Sequence, residues 1–380
     1  MQPQGPARAG DAHAQRIMNL VARGEARSRS ELAEALGLAP STVGLRVQAL
    51  LDAGLLQERG EGASRGGRRP RSLVVPEGQG EVISVDLGGG HARIGRHGLS
   101  GALLETLTIP VTLADGPEPT LALVAEAFGA MEVTALRGIG ISLPGPVDTA
   151  TGTVDRPSRM PGWPGFRVGE HLAARFGVPV AVDNDANLAA LGEHRLRFGD
   201  AHHSITVKAG TSIGSGIIVD GRLHRGATSA AGDITHTRID IDAGVACACG
   251  NVDCLETVAS GAGMVRLLRA AGYDVDTTAE VLKLALDADP TASHLVRQAG
   301  THLGQVLSGV VNFFNPHALF LTGSLSSSEP FIAAVRSRVY ASCHPLVTQT
   351  LTIEAAQTGA DAILFGAARL VLDRLNLIAV

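Results

Sequence analysis

The sequence predicts an α/β chain in two unequal parts: a small helical head closed by a two-strand hairpin, then a body of two similar lobes. Three observations carry this reading. Between His13 and Val75 the order is helix, helix, turn, helix, hairpin. Beyond Pro76 to Gly80 the pattern changes to short strands alternating with helices, and it restarts near His203. Charge divides at the same boundary. Residues 1–75 hold eleven Arg against seven Asp or Glu, a net of +4, so a chain of net charge −5 carries −9 on the remainder.

Taken in order, residues 1–10 are rich in Pro, Gly and Ala and read as a disordered tail. In residues 11–75, Ile17, Leu20 and Val21 recur at helical spacing; Ser30 is placed to cap a second helix, Glu31 to Leu36, which Gly37 stops. Ser41 is placed to cap a third, with Val43, Val47 and Leu50 on one face. Leu55-Leu56-Gln57 opens a strand, and Ser72 to Val75 returns. This is the order of a winged helix-turn-helix. Residues 76–80 form a linker. The body follows as residues 81–380, with a small lobe of about 81–190 plus a C-terminal helix at 360–374, and a large lobe of about 191–358. Its expected strands lie near 81–86, 92–98, 103–113, 138–143, 179–183, 203–209, 216–220 and 318–321. Its expected helices lie near 119–130, 186–198, 292–313 and 360–374.

With 45% hydrophobic but 3% aromatic residues, the core must be aliphatic. No stretch reaches ~18 uninterrupted apolar residues and no apolar signal core stands at the N-terminus, so a soluble, cytoplasmic protein without membrane contact is expected. Lys208 and Lys283 are the only lysines; the positive charge is otherwise guanidinium. A GC-rich coding sequence gives the same bias, but on the head it also suits bidentate contact with phosphate.

The segment from Ser28 to Val43 sets two helices about a Gly turn. In such motifs the second helix enters the major groove of double-stranded DNA by its N-terminal residues, here Ser41, Thr42, Leu45 and Arg46. Arg65, Arg68 and Arg69 lie in a Gly-hinged, Pro-stiffened run suited to a narrow minor groove.

In the body, Asp86-Leu-Gly88-Gly89-Gly90 ends a strand, and a second Gly-rich turn runs from Ala209 through Gly210, Thr211, Ser212 and Gly214 to Gly216. One such turn per half can cradle phosphates with backbone N–H groups across a cleft. Asp183-Asn184-Asp185-Ala-Asn187 sits at a strand-to-helix junction. A carboxylate there can take a proton from a sugar hydroxyl, whereas helix capping would account for one polar residue but not four. Cys247, Cys249 and Cys254 fall within eight residues, as metal ligands do; His236 is the best fourth ligand, since His224, His202 and His203 stand in no matching motif. Four Cys/His ligands would close a structural zinc site.

These residues resemble the ROK family of repressors, open reading frames and sugar kinases. The likeness lies in Met160-Pro-Gly-Trp163 through Pro179-Val-Ala-Val-Asp-Asn-Asp-Ala-Asn187, and in Gly226 through Ala231-Gly232-Asp233-Ile-Thr-His236. The run Cys-x-Cys-Gly-x-x-x-Cys-x-Glu follows. The resemblance implies an actin-like, sugar-kinase-like body. In it Asp185 is the catalytic base of kinase members, and Asn184, Asp185, Asp233, His236 and Glu256 hold the sugar. His236, Cys247, Cys249 and Cys254 bind one zinc per chain, and Asp86, Gly88, Gly89, Gly210, Thr211, Gly214 and Gly323 line the nucleotide phosphates.

Several positions depart from the family's kinases. Gly90 stands for Thr, Ser212 for Gly, Asp233 for Glu, Thr235 for Gly, Thr322 for Gly and Arg159 for Asn. Three of these alter the nucleotide side, on whose positioning phosphoryl transfer depends. The expectation is a sugar-responsive regulator, homodimeric or homotetrameric, that binds operator DNA and a monosaccharide or sugar phosphate. Two alternatives stand: an active hexose kinase using ATP and Mg²⁺ with a DNA-binding head, and a regulator controlled by a protein partner with a vestigial sugar pocket.

Overall fold

The computed structural model describes residues 9–22, 26–59, 72–76, 80–154, 160–199, 201–241 and 243–375. Arg65, Arg68, Arg69 and Arg159 lie outside these residues, as do most of the expected tail and the middle of the linker.

The head comprises α1 (Ala9–Ala22), α2 (Arg29–Leu36), α3 (Pro40–Asp52), β1 (Gln57–Arg59) and β2 (Ser72–Val74), the strands pairing antiparallel. Both expected caps are corrected by two residues. Ser28, not Ser30, caps α2, its Oγ accepting the Glu31 N–H at 3.2 Å, and Gly37 ends the helix at φ +63°. Helix α3 starts on Pro40 with Ala39 as its cap, so Ser41 lies inside the first turn. Proline's fixed φ suits that first position, where its missing N–H leaves no intrahelical bond unmade. Val43, Val47 and Leu50 form the buried stripe. The hairpin is tied back by the Leu73 N–H to Arg27 O bond at 2.7 Å and an Arg29–Glu58 ion pair at 2.6 Å.

The body holds two five-stranded sheets of one plan. The first half runs β3 (Glu81–Leu87), β4 (His91–Gly98), β5 (Leu103–Pro110), α4 (Pro117–Ala130), β6 (Leu136–Leu143), a small hairpin β7 (Val147–Asp148) and β8 (Thr153–Val154), α5 (Val168–Phe176) and β9 (Val180–Asn184). Helix α6 (Asp185–Phe198) crosses to the second half. There follow β10 (Ser204–Ala209), β11 (Ile213–Val219), β12 (Arg222–His224), α7 (Leu255–Ala259), α8 (Gly261–Ala270), α9 (Thr278–Leu286), α10 (Pro290–Phe314), β13 (Ala318–Thr322), α11 (Glu329–Ser342), α12 (Pro345–Thr348) and β14 (Thr352–Ala355). Helix α13 (Ala362–Arg374) returns to the first half.

The sheet orders are β5-β4-β3-β6-β9 and β12-β11-β10-β13-β14. In each, three strands meander antiparallel and two parallel strands extend the other side of the first. Asp86 and Lys208 are therefore equivalent: each is the last but one residue of its half's first strand.

Helix α6 begins at the end of β9 yet lies on β10 and β11, while α13 follows β14 yet lies on β3 and β6. The two helices pack on each other at glycines. A Cβ on Gly366 would stand 1.9 Å from Leu188 O, and one on Gly192 would stand 2.1 Å from Ala362 O. Buried Glu193 of α6 accepts the Gln357 and Thr358 N–H groups, both at 2.9 Å, and the Thr358 hydroxyl at 2.6 Å, fixing the chain that leads into α13.

Candidate functional site

The strand-to-helix junction sends four adjacent polar side chains to four tasks. Asn184 is the cap of α6, its Oδ1 accepting from Ala186 N at 2.9 Å and Asn187 N at 3.2 Å, its Nδ2 donating to Gly145 O at 2.9 Å. Buried Asp183 faces Arg225, whose Nε and Nη2 both reach Oδ2, at 3.0 and 2.6 Å. Asn187 Nδ2 donates to the other oxygen of Asp183 at 2.9 Å. Asp185, also buried, is left to face Lys208 of the second half. Its Oδ1 accepts from Ala186 N at 2.8 Å and Asn184 Nδ2 at 3.0 Å, and its Oδ2 accepts from Lys208 Nζ at 2.6 Å.

Opposite Asp185 lies Asp86, which accepts the Ser142 hydroxyl at 2.8 Å; the same hydroxyl accepts the Leu87 N–H at 3.1 Å. Burial pushes the Asp86 pKa up, against the pull of the Lys208 ammonium. For Lys208, burial would lower the pKa, but the carboxylates of Asp185, Asp86 and Glu256 outweigh it and hold it above the usual lysine value. Lys208, Arg225 and Ser142 escape the motif reading. The available signal for Lys208 is its rarity, one of two lysines in an arginine-rich chain.

Gly88 and Gly89 form the turn between β3 and β4, where Gly88 N donates to His91 O at 2.9 Å and Gly89 and Gly90 have open space where a side chain would stand. Gly210 and Thr211 form the turn after β10, and their carbonyls accept from Gly261 N (2.8 Å) and Ala262 N (3.0 Å) at the start of α8. Gly214 lies beyond that turn, inside β11, with its missing Cβ 3.0 Å from Ala186 of α6. Its neighbour Gly216 would meet Ala190 Cβ at 2.6 Å, so both serve the close seat of α6 on the strand. Gly323, at φ +87°, passes under Ala209, whose carbonyl oxygen would be 2.4 Å from a Cβ. Thr322 turns its hydroxyl to Gly359 O at 3.3 Å.

The loop from Gly226 to Cys254 closes the other side. Thr235 is buried, its hydroxyl donating to Ile213 O at 2.7 Å, and Glu256 accepts the Ile213 N–H at 2.9 Å, so both clamp the loop to β11. Asp233 is exposed and accepts from Thr235 N at 3.3 Å. His236, Cys247, Cys249 and Cys254 converge, their ligand atoms all within 4.8 Å of one another. Cys247 Sγ is 3.4 Å from His236 Nδ1, and Cys249 Sγ is 3.6 Å from Cys254 Sγ. A tetrahedral zinc with bonds of about 2.3 Å to sulfur and about 2.0 Å to nitrogen sets those separations at roughly 3.5 and 3.8 Å respectively, so the donor set fits the ion. Because Nδ1 faces the sulfurs, the Nε2 edge of His236 is turned outward. Burial and the neighbouring sulfurs push the Cys254 thiol up to about 12, so a bound metal must displace its proton. Asp253 braces the loop by accepting from Gly244 N at 3.1 Å and Val245 N at 2.8 Å.

On the head, Ser41, Thr42 and Leu45 are exposed on α3 and Arg46 is half-buried. Leu45 is 75% exposed. An aliphatic side chain so placed makes no contribution to the core, but it can contact a thymine methyl in the major groove.

The head and body together define a DNA-binding regulator built on a sugar-kinase fold. Residues 82–374 match the ROK family and residues 10–59 match a helix-turn-helix domain. The chain belongs to the ROK family. It is 29% identical over 354 residues to the xylose repressor of Bacillus spizizenii, covering 91% of each chain. It superposes with a TM-score of 0.80 and 26% identity on the crystal structure of a ROK family transcriptional regulator, a homologue of the E. coli MLC protein, covering 97% of this chain and 98% of that one. A ROK family glucokinase from Streptomyces griseus, in complex with glucose and AMPPNP, matches 77% of this chain and 99% of its own with a TM-score of 0.68 and 30% identity. Among the described residues no helix is long and apolar enough to cross a membrane.

Proposed function

We propose that the chain is a sugar-responsive repressor of carbohydrate metabolism, in which α3 and the following hairpin bind operator DNA and the cleft between the lobes binds the effector. The observation that carries this is the union, in one chain, of an exposed helix-turn-helix face with a sugar-kinase cleft, matched from end to end by a ROK transcriptional regulator. Asn184, Asp185, Asp233, His236 and Glu256 are the residues proposed to hold a monosaccharide or its phosphate. A zinc ion on His236, Cys247, Cys249 and Cys254 would brace the loop that presents His236 and Glu256. A homodimer would set two heads on a palindromic site. Sugar binding changes DNA affinity to the extent that it favours one lobe arrangement over another.

The test takes the full chain, selects binding sites from a random duplex library, and titrates the complex with xylose, glucose, N-acetylglucosamine and their phosphates. Sequence-selective binding altered by one of these sugars is expected. No selective DNA binding, with or without sugar, overturns the reading. Because Asp185 is present, ADP release is followed in parallel; turnover abolished by Asp185→Asn would establish kinase activity instead.

A further inference from the structure

We infer that Lys208 is a tethered cation that fills the space between the carboxylates of the two lobes, so that the cleft holds its ligand without a divalent metal or nucleotide. Asp86 and Lys208 occupy equivalent positions at the ends of β3 and β10, so the two halves bring an acid and a base to face each other across the cleft. The ammonium is 2.6 Å from Asp185 Oδ2 and lies within the field of Asp86 and Glu256. A metal ion joining nucleotide phosphates to these carboxylates needs the same oxygens. Here Oδ2 of Asp185 is taken by Lys208 and Oδ1 by Ala186 N and Asn184 Nδ2.

Two consequences follow. A divalent cation entering between Asp86 and Asp185 would meet the like charge of an ammonium tethered to a central strand and paired with Asp185. Asp185 can accept a hydrogen bond from a sugar hydroxyl while its Oδ2 stays paired with the lysine. Lys208 is thus a positioning residue that holds Asp185 as a recognition group. The set of residues that suits Mg²⁺ and ATP elsewhere in the fold does not fit them in this chain. The sugar part of this inference rests on the reading given under Proposed function; the cation part does not.

The experiment measures Mn²⁺ binding by water-proton relaxation, with and without ATP, on the full-length wild-type protein, Lys208→Ala, and Lys208→Ala combined with Asp86→Asn. Lys208→Ala is expected to bind Mn²⁺–ATP at least tenfold more tightly than wild type, and Asp86→Asn to abolish the gain. Wild-type binding as tight as that of Lys208→Ala overturns the inference. A second measurement needs no variant. Acylation followed by peptide mass analysis reports both lysines of the chain, with Lys283 of α9 as internal reference. Lys208 is expected to react at least tenfold more slowly, at a rate unchanged by Mn²⁺–ATP. Equal rates, or exposure of Lys208 by Mn²⁺–ATP, refute the tethered pairing. Any sugar that stabilises the protein is expected to do so equally with and without added Mg²⁺, and a strict Mg²⁺ requirement refutes the inference. If no sugar binds, the effector reading fails while the Mn²⁺ and acylation results still decide this one.

Discussion

Replacing Gly366 with alanine tests the claim that the lobes are joined by a backbone-to-backbone helix crossing. In an ordinary helix interior, Gly→Ala stabilises by about 0.8–1.0 kcal/mol, because glycine loses more backbone freedom on folding. At Gly366 the new Cβ would stand 1.9 Å from Leu188 O and 2.6 Å from Leu188 C. Close-packed interiors have no slack for this, so α6 and α13 must part by about 1–1.5 Å. Overpacking costs typically about 1–3 kcal/mol, and here both partners are backbone and cannot rotate away. The steric cost wins, and a net loss of about 2 kcal/mol is expected. Gly309, in the exposed face of α10 with no atom within 4 Å of its missing Cβ, supplies the opposite sign. Gly309→Ala should gain up to about 1 kcal/mol. Urea unfolding of both full-length variants, followed by far-ultraviolet circular dichroism, makes the comparison. A Gly366→Ala midpoint at or above wild type would refute the crossing.

Further expectations concern acid, metal and DNA. Burial holds the pKa values of His97 and His194 near 4, against 6.5 when unfolded, with His97 Nε2 2.8 Å from the Ser84 hydroxyl and His194 Nδ1 2.7 Å from that of Ser204. Between those values the unfolded chain binds more protons, so their stabilising effect is complete above about pH 6.5 and is lost as pH falls to about 4, on the order of 3 kcal/mol each. Urea midpoints that stay level across that range would contradict this, and His97→Asn should flatten the fall. Elemental analysis should find about one zinc per chain, and Cys249→Ser should lower both zinc content and sugar affinity while the head stays folded; a metal-free protein with full sugar affinity removes the bracing role. Replacing Arg65, Arg68 and Arg69 together with alanine should reduce the slope of log affinity against log salt by roughly 2–3, at ~0.9 for each phosphate no longer neutralised. An unchanged slope means that these arginines do not touch the backbone of DNA.

The parts legible in the sequence are those set by local chemistry. The helix-turn-helix follows from a capping serine, the Gly37 stop and a three-residue apolar stripe, and the error between Ser30 and Ser28 arises because both hydroxyls are in reach; their oxygens are 3.0 Å apart. The metal cluster is equally local, three of its ligands falling within one short loop. Helix α9 carries a full capping box, Thr277 with Glu280, but strand–helix alternation passes over so short an element. What the sequence hides is pairing at a distance. Capping and cleft chemistry compete to explain residues 183–187, and the structure divides them: Asn184 caps, while Asp183 turns away to Arg225 and Asp185 turns toward Lys208. Neither partner can be found from spacing, since Lys208 arrives from β10 and Arg225 from the residue that follows β12.

The chain passes between the lobes at α6 and again on its way into α13, and those two passages touch along their lengths. Two neighbouring pivots define one axis, as the pins of a door do, whereas a single strand of chain would act as a ball joint. Glu193 clamps the second pivot to the first. Any motion of one lobe against the other that leaves both passages intact is therefore favoured as a swing about that shared axis.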